Sequence, residues 1–455
     1  MGSRDAEHAI SIMQTFAFFH HENIGEDIIK RAAEAVERPT EEAGGISGFP
    51  PQLLQLDETG TWDPLFFRKG IRILLSFSLL RKTARDGIYS SHPLVHCWSR
   101  DSMSKEELQT CVSVASTLLS SSITSGYTSE DFAYRRTVIP HVKALGNQTS
   151  PYDDMRSQKF ALVFHEAGHW KGAEELHIQN LKMRKTVLGE EHPDTLRCMD
   201  NLASMYQYQG QWHQAEELQL RVLEMRRKLL GEEHPDTLGS MGNLASTYRA
   251  QGRWKEAEEL QAQVLLTHKK LLGEEHPVTL ISIANLALTY WNLGQWKEAE
   301  ELQVRVLEMR RKVLGEEHPA TLGSMGNLAL IYGNQGRWKA AEKLQVQVLQ
   351  THKKLLGEEH PDTLRSMGNL SSTFANQGQW KEAEKLEFQV LEMRSKVLGE
   401  EHPDTLSSMD NFAFICGNQG RWKQAEQLRL RVLEMRRKLL GEEHPDTLRS
   451  MGGPA

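Results

Sequence analysis

His165-Glu166-Ala167-Gly168-His169 has the spacing H-E-x-x-H. On one continuous helix that spacing puts two imidazoles on the same face to hold zinc, with the glutamate beside them as general base. Seven more histidines stand in a recurring string, Gly-Glu-Glu-His-Pro, whose prolines are Pro193, Pro235, Pro277, Pro319, Pro361, Pro403 and Pro445. Glu190 or Glu191 of the first string would be the candidate third ligand. Two observations oppose zinc chemistry. The string recurs in every copy without any zinc motif, and Gly168 holds the place of a turn glycine, so the two histidines should straddle a helix break. No metal, no cofactor and no catalytic residue is expected, and the string histidines read as loop residues. The phosphate-binding pattern G-x-x-x-x-G-K-[ST] does not occur in the chain, so nucleotide hydrolysis is not supported.

The register behind that argument is a repeat. Trp170, Trp212, Trp254, Trp296, Trp338, Trp380 and Trp422 are each 42 residues apart. Each follows a glycine by two positions: Gly168, Gly210, Gly252, Gly294, Gly336, Gly378 and Gly420. Fixed self-similarity of this period marks a stack of supersecondary units. Each unit predicts two helices. Asp-Thr-Leu after the proline (Asp236, Thr237 and Leu238 in one copy) reads as the cap of a first helix of about 15 residues, roughly 22 Å long. Leu238, Met241, Leu244, Ala245 and Tyr248 recur on it at intervals of three and four, one apolar face. A second helix starts at the tryptophan, carries Trp254, Ala257, Leu260, Val264 and Leu265, and ends at Gly273. One pair cannot bury its own apolar face, so the pairs must stack. The predicted class is mainly α: a solenoid over 151–455, about seven helix pairs and a partial one, preceded by a small winged-helix-like domain (1–103) and a helical connector (104–150). Thr267-His268-Lys269-Lys270 recurs at Thr351-His352-Lys353-Lys354, with Glu308-Met309-Arg310-Arg311 between, so repeats read as copied in pairs. The last unit begins at Asp446 and stops inside its first helix, which reads as an end cut short.

Asn-Leu-Ala-x-x-Tyr in the first helix, the glycine turn and Trp-x-x-Ala in the second resemble the tetratricopeptide repeat in its 42-residue, kinesin-light-chain form. The sequence departs from it at Gln219, Gln261, Gln303 and Gln345, where the family often has an aromatic. The resemblance implies that first helices line a concave face, and that the invariant Asn201, Asn243, Asn285, Asn327, Asn369 and Asn411 hydrogen-bond the backbone of an extended peptide. An amide donates and accepts at once, which suits a backbone of any sequence. The alternative is that these asparagines tie one repeat to the next. Variation concentrates beside them: Gln207, Arg249, Trp291, Gly333, Ala375 and Gly417 share one position, and Ser204, Ser246, Leu288, Leu330, Ser372 and Phe414 another. This reads either as a tunable specificity surface or as relaxed constraint, with Arg249 and Trp291 the candidate groove residues.

Residues 1–150 lack the repeat. Helices are expected at Ile10–His20, from Leu65 to Ser78, after His92, and near 104–122 and 131–145. A small wing is expected from Leu79–Lys82 and Ile88–Ser91 around Arg85-Asp86-Gly87, and glycine- and proline-rich punctuation lies at Gly44–Pro51. Phe18-Phe19-His20-His21-Glu22-Asn23-Ile24, Trp62-Asp63-Pro64 and Ser91-His92-Pro93-Leu94-Val95-His96 resemble the winged helix that follows the nucleotide-binding module of fungal NB-ARC proteins of the STAND class. The resemblance implies a nucleotide-sensing role for His92, although Pro93 stands where an aspartate is common. A helix-capping histidine is the alternative.

Composition agrees with a soluble binding protein: 39% hydrophobic, 25% charged and a net charge of −7 with the signs interleaved. Nothing concentrates positive charge as a nucleic-acid binder requires, and no apolar run reaches the ~18 residues of a membrane span. Cys97, Cys111, Cys198 and Cys416 lie far apart, which suits a cytoplasmic setting without disulfides. The reading is a protein-interaction scaffold, the ligand-sensing part of a STAND-like protein without its NTPase module, binding peptides or proteins. Homo-oligomers are compatible with it. The alternatives are a kinesin-light-chain-like cargo adaptor and a zinc metalloenzyme.

Overall fold

A computed structural model describes residues 3–36, 46, 48–124, 126, 128–146, 154–442 and 444–452. Gly44, Gly45 and Ser47 of the expected punctuation, 147–150 at the end of the expected connector and 151–153 at the expected start of the solenoid lie outside them. Contacts divide the chain into two units, Met1–Val187 and Leu188–Ala455.

The first unit holds α1 (Ser3–Phe16), β1 (Ile24–Gly25), α2 (Asp27–Val36), α3 (Leu65–Ser76), β2 (Leu80–Lys82), β3 (Ile88–Ser91), α4 (Pro93–Asp101), α5 (Lys105–Ser122), α6 (Ser129–Gly146), α7 (Asp154–Glu166) and α8 (Trp170–Val187). The strands pair antiparallel in the order β1-β3-β2, with Ile24 opposite Tyr89 and Leu80 opposite Ser91. Helices stand where the sequence reading expected them, except that the first runs Ser3–Phe16 and leaves Ala17–His20 outside it, and β2 and β3 form the expected hairpin. The pattern of Ile28, Ile29, Ala32 and Ala33, all buried, adds α2, which the sequence reading passed over. Phe16, Phe18, Phe19, Ile24 and Phe67 form an aromatic-rich core. Buried His141 ties the loop after α1 to α6: its Nδ1 accepts from the His20 N–H at 3.1 Å, and its Nε2 meets the Asn23 carbonyl at 3.1 Å. Burial lowers its pKa to about 4, so the ring is neutral and one bond of each kind fits.

The second unit is a run of helix pairs: α9 (Pro193–Tyr208) and α10 (Trp212–Leu230), α11 (Pro235–Ala250) and α12 (Trp254–Leu272), α13 (Pro277–Asn292) and α14 (Trp296–Leu314), α15 (Pro319–Asn334) and α16 (Trp338–Leu356), α17 (Pro361–Asn376) and α18 (Trp380–Val397), α19 (Pro403–Asn418) and α20 (Trp422–Leu440), then α21 (Pro445–Gly452). The turn glycines lie in the left-handed region, from φ 69° at Gly210 to 82° at Gly420, where a side chain is strained. Core clusters straddle neighbouring pairs: Leu265 of α12 meets Leu280, Ile283 and Leu286 of α13 and Val306 of α14. Each such side chain contributes about 1.5–3 kcal/mol when fully buried, and only in a stack.

The cap of the first helix differs from expectation. It is the histidine, not Asp-Thr-Leu: His234 Nδ1 accepts from the Asp236 N–H at 3.1 Å, and His318 Nδ1 accepts from the Ala320 N–H at 3.1 Å, with proline at the first helical position. An extended residue with an acceptor two positions before a free N–H meets the capping requirement, and proline loses nothing there. The threonine turns inward instead, Thr237 Oγ1 donating to the Gly231 carbonyl at 2.8 Å.

Candidate functional site

The metal motif is broken as its register implied. α7 ends at Glu166, Gly168 has φ 69°, and α8 opens at Trp170. The Glu166 carboxylate bonds Arg135 at 2.5 Å and the His165 ring packs edge-on against Trp170. Burial raises the Glu166 pKa against the pull of Arg135. Among the described residues no group of His, Cys, Asp and Glu could hold a metal ion. His92 caps α4 as the string histidines cap theirs, its Nδ1 accepting from the Leu94 N–H at 3.2 Å.

In the second unit the first helices approach one another across the stack, α11 with α13, α13 with α15, and α17 with α19. The stack curls far enough that a Cβ at Gly210 would collide with Pro445. First helices therefore line the inner side. The six asparagines lie along it, one per first helix, half-buried or exposed. Their surroundings divide them. Asn243 lies near the half-buried Asp200 carboxylate and Asn411 near the buried Glu387, both acids of the preceding repeat, and each amide favours the ionised acid without a well-aligned bond. The side-chain amides of Asn201, Asn285, Asn327 and Asn369 form no hydrogen bond among the described residues. Asp200 is bonded at 2.6 Å to Arg226; burial raises its pKa and the guanidinium lowers it.

The variable position beside the asparagines turns partly toward neighbours. Gln207 reaches across to Thr247 and the Asn243 carbonyl. Arg249 is half-buried, with Nη2 3.5 Å from Ser246 Oγ and Nη1 enclosed without a partner among the described residues. Burial lowers its pKa, and no carboxylate offsets that among the described residues. Trp291 is likewise half-buried, its Nε1 enclosed and unbonded among the described residues. At Gly333 a Cβ would meet the Trp338 ring at 3.2 Å. The small residues of later copies thus leave room for the tryptophan that opens the second helix.

Ties that sequence reasoning missed set the repeat spacing. Gln251 Nε2 donates to Glu216 at 2.8 Å, and Gln335, Gln377 and Gln419 repeat the bond to Glu300, Glu342 and Glu384. The signal was present as Trp-x-x-Ala-Glu and the glutamine before each turn glycine. Ala167 replaces that glutamine in the first copy and Leu293 in the fourth, and at the latter Glu258 turns to Tyr290. A second tie alternates cation and imidazole: Arg226, His268, Arg310, His352, Arg394 and Arg436 each bond the serine 14 residues on. This gives a packing reason for the alternation of Met-Arg-Arg and His-Lys-Lys. The departure from the family aromatic has one as well, because Gln219 and Gln261 accept from Thr247 and Thr289 at 2.6 and 2.5 Å inside the stack.

Comparison with known proteins follows this geometry. The tetratricopeptide-repeat profile matches 154–228, 200–270, 236–312, 279–347 and 321–396, more than half the chain, and a second profile of that repeat matches 405–446. Comparison with curated proteins returns no match. Among solved structures, a putative kinesin light chain with nearly identical repeats from Podosopora anserina is 39% identical, covering 45% of this chain and 97% of its own at a TM-score of 0.39. A STAND protein with a tetratricopeptide-repeat sensor from Pyrococcus horikoshii is 13% identical, covering 98% of this chain and 65% of its own at a TM-score of 0.42. The period, the glycine turns and the profile matches agree: the chain belongs to the tetratricopeptide-repeat family.

Proposed function

We propose that the protein is a binding scaffold whose first-helix groove holds an extended segment of a peptide or protein partner, with Asn201, Asn243, Asn285, Asn327, Asn369 and Asn411 as the line of contact and Arg249 and Trp291 at its edge. The observation that carries this is the free amides of Asn285, Asn327 and Asn369. Among the described residues, three consecutive first helices present an unused donor and acceptor at equivalent repeat positions, which matches what an extended backbone needs. Asn243 and Asn411, set against Asp200 and Glu387, serve the packing as well.

The test is binding of the full chain to an array of immobilised peptides. Changing Asn285 and Asn327 together to alanine should weaken binding at least tenfold, about 1.4 kcal/mol or more, with the melting temperature held within a degree or two. If affinity stays the same while the melting temperature falls, the asparagines are packing residues and the groove reading is lost.

The wider reading makes this a cytoplasmic, non-enzymatic protein in which 151–455 senses a ligand and 1–103 is a winged helix of the STAND type. The order α1-β1-α2-α3-β2-β3 supports it. His92 would then offer nucleotide only its Nε2, since Nδ1 is engaged in the cap. A cargo-adaptor role would use the same groove with a different partner.

A further inference from the structure

From the charge pattern of the groove we infer that its occupant is an uncharged, extended peptide segment with apolar side chains, seated over α11, α13 and α15; the inference rests on the peptide-binding reading above. A quarter of the chain's residues are charged. Neither α13 nor α15 carries a single Asp, Glu, Lys or Arg along its 16 residues. The second helices of the same repeats, α14 and α16, are crowded with them. Depletion confined to the helices of the inner face is a charge complement to a neutral ligand. A charged side chain set there would lose water and gain no partner.

The floor is shaped as well as neutral. Ile281 on α13 is 51% exposed and Leu330 on α15 is 41% exposed. Gly326 stands one turn before Leu330 on α15 and Gly242 holds the same repeat position on α11, and an added Cβ at either would meet nothing within 4 Å. Bare backbone next to an exposed aliphatic side chain makes a step into which an apolar ligand side chain fits. α11, the remaining helix of the floor, carries Asp236 in its first turn and Arg249 in its last, and Nη1 of Arg249 is enclosed.

Helices packed ~9–10 Å apart and a strand rise of ~3.3 Å per residue mean that about nine residues cross the three helices. The probe is a fluorescent nonapeptide, Ser-Val-Asn-Ile-Ser-Leu-Asn-Val-Ser, blocked at both ends, with versions in which both asparagines become aspartate or both become lysine. Anisotropy with the full chain should show the neutral peptide binding about tenfold or more tighter than either charged version, with little dependence on salt. Leu330→Asp, at an exposed position, should weaken the neutral peptide and shift preference toward the lysine version. Equal or tighter binding of a charged version overturns the inference and leaves the groove reading intact. Binding of none of the three removes both. A concentration-dependent dimer in sedimentation that Leu330→Asp dissolves assigns the face to a second copy of the chain and also overturns the inference.

Discussion

Glu387 stands where four other copies have glutamine, fully buried, with neither oxygen in hydrogen-bonding geometry among the described residues. Burial raises its pKa, against the pull of Ser371 and Arg394. The folded chain therefore keeps this proton where the unfolded chain releases it. The group costs nothing below the unfolded carboxyl range, and stability declines as pH rises from there toward the raised folded value. Glu387→Gln should flatten that decline and add about 1–3 kcal/mol near neutral pH, read as a melting temperature compared across pH. A variant with an unchanged pH profile would contradict the argument. Arg249 is the cationic counterpart, half-buried without a carboxylate. Arg249→Gln gives the side chain of Gln207, which reaches Thr247 and a backbone carbonyl. It should raise stability by about 1 kcal/mol; denaturant midpoints that move the other way would show that the guanidinium has a partner in solution.

Helix ends explain what was legible. A tryptophan, a glycine and a proline recur because each meets a separate physical need: a large apolar start to the second helix, a left-handed turn, and a first helical position without an N–H. Such needs leave a fixed residue, so the period and all the helix pairs could be read. The capping atom could not be assigned from residue preference alone, because histidine ranks low as a cap until proline fixes the backbone after it. β1 is two residues long, too short for any alternation to show. In the groove, the line of asparagines was visible, but their division was not: it depends on Asp200 and Glu387 arriving from the preceding repeat. His318→Ala removes a cap in a copy with no aspartate behind it and should cost about 1 kcal/mol, with His318→Ser recovering most of it. Hydrogen exchange at the Ala320 amide is the direct check; an amide protected equally in both variants would discount the cap.

At the scale of the whole second unit, neighbours carry the stability. Leu322 lies in one cluster with Leu307, Met325, Leu328 and Val348. Leu322→Ala should cost about 2–5 kcal/mol and loosen α14 through α16 in hydrogen exchange while α9 and α10 keep their protection. Uniform loosening would mean that the unit opens as one body. The lysine–glutamate pairs keep one spacing throughout the second unit. Lys228, Lys270, Lys312, Lys354, Lys396 and Lys438 each reach a glutamate 37 positions back. Offsets that constant survive the loss or gain of one whole unit and no other length. Unequal recombination between near-identical coding segments can therefore lengthen or shorten the groove in whole steps, each product folding with every tie intact, so that reach along a partner becomes a heritable, countable trait.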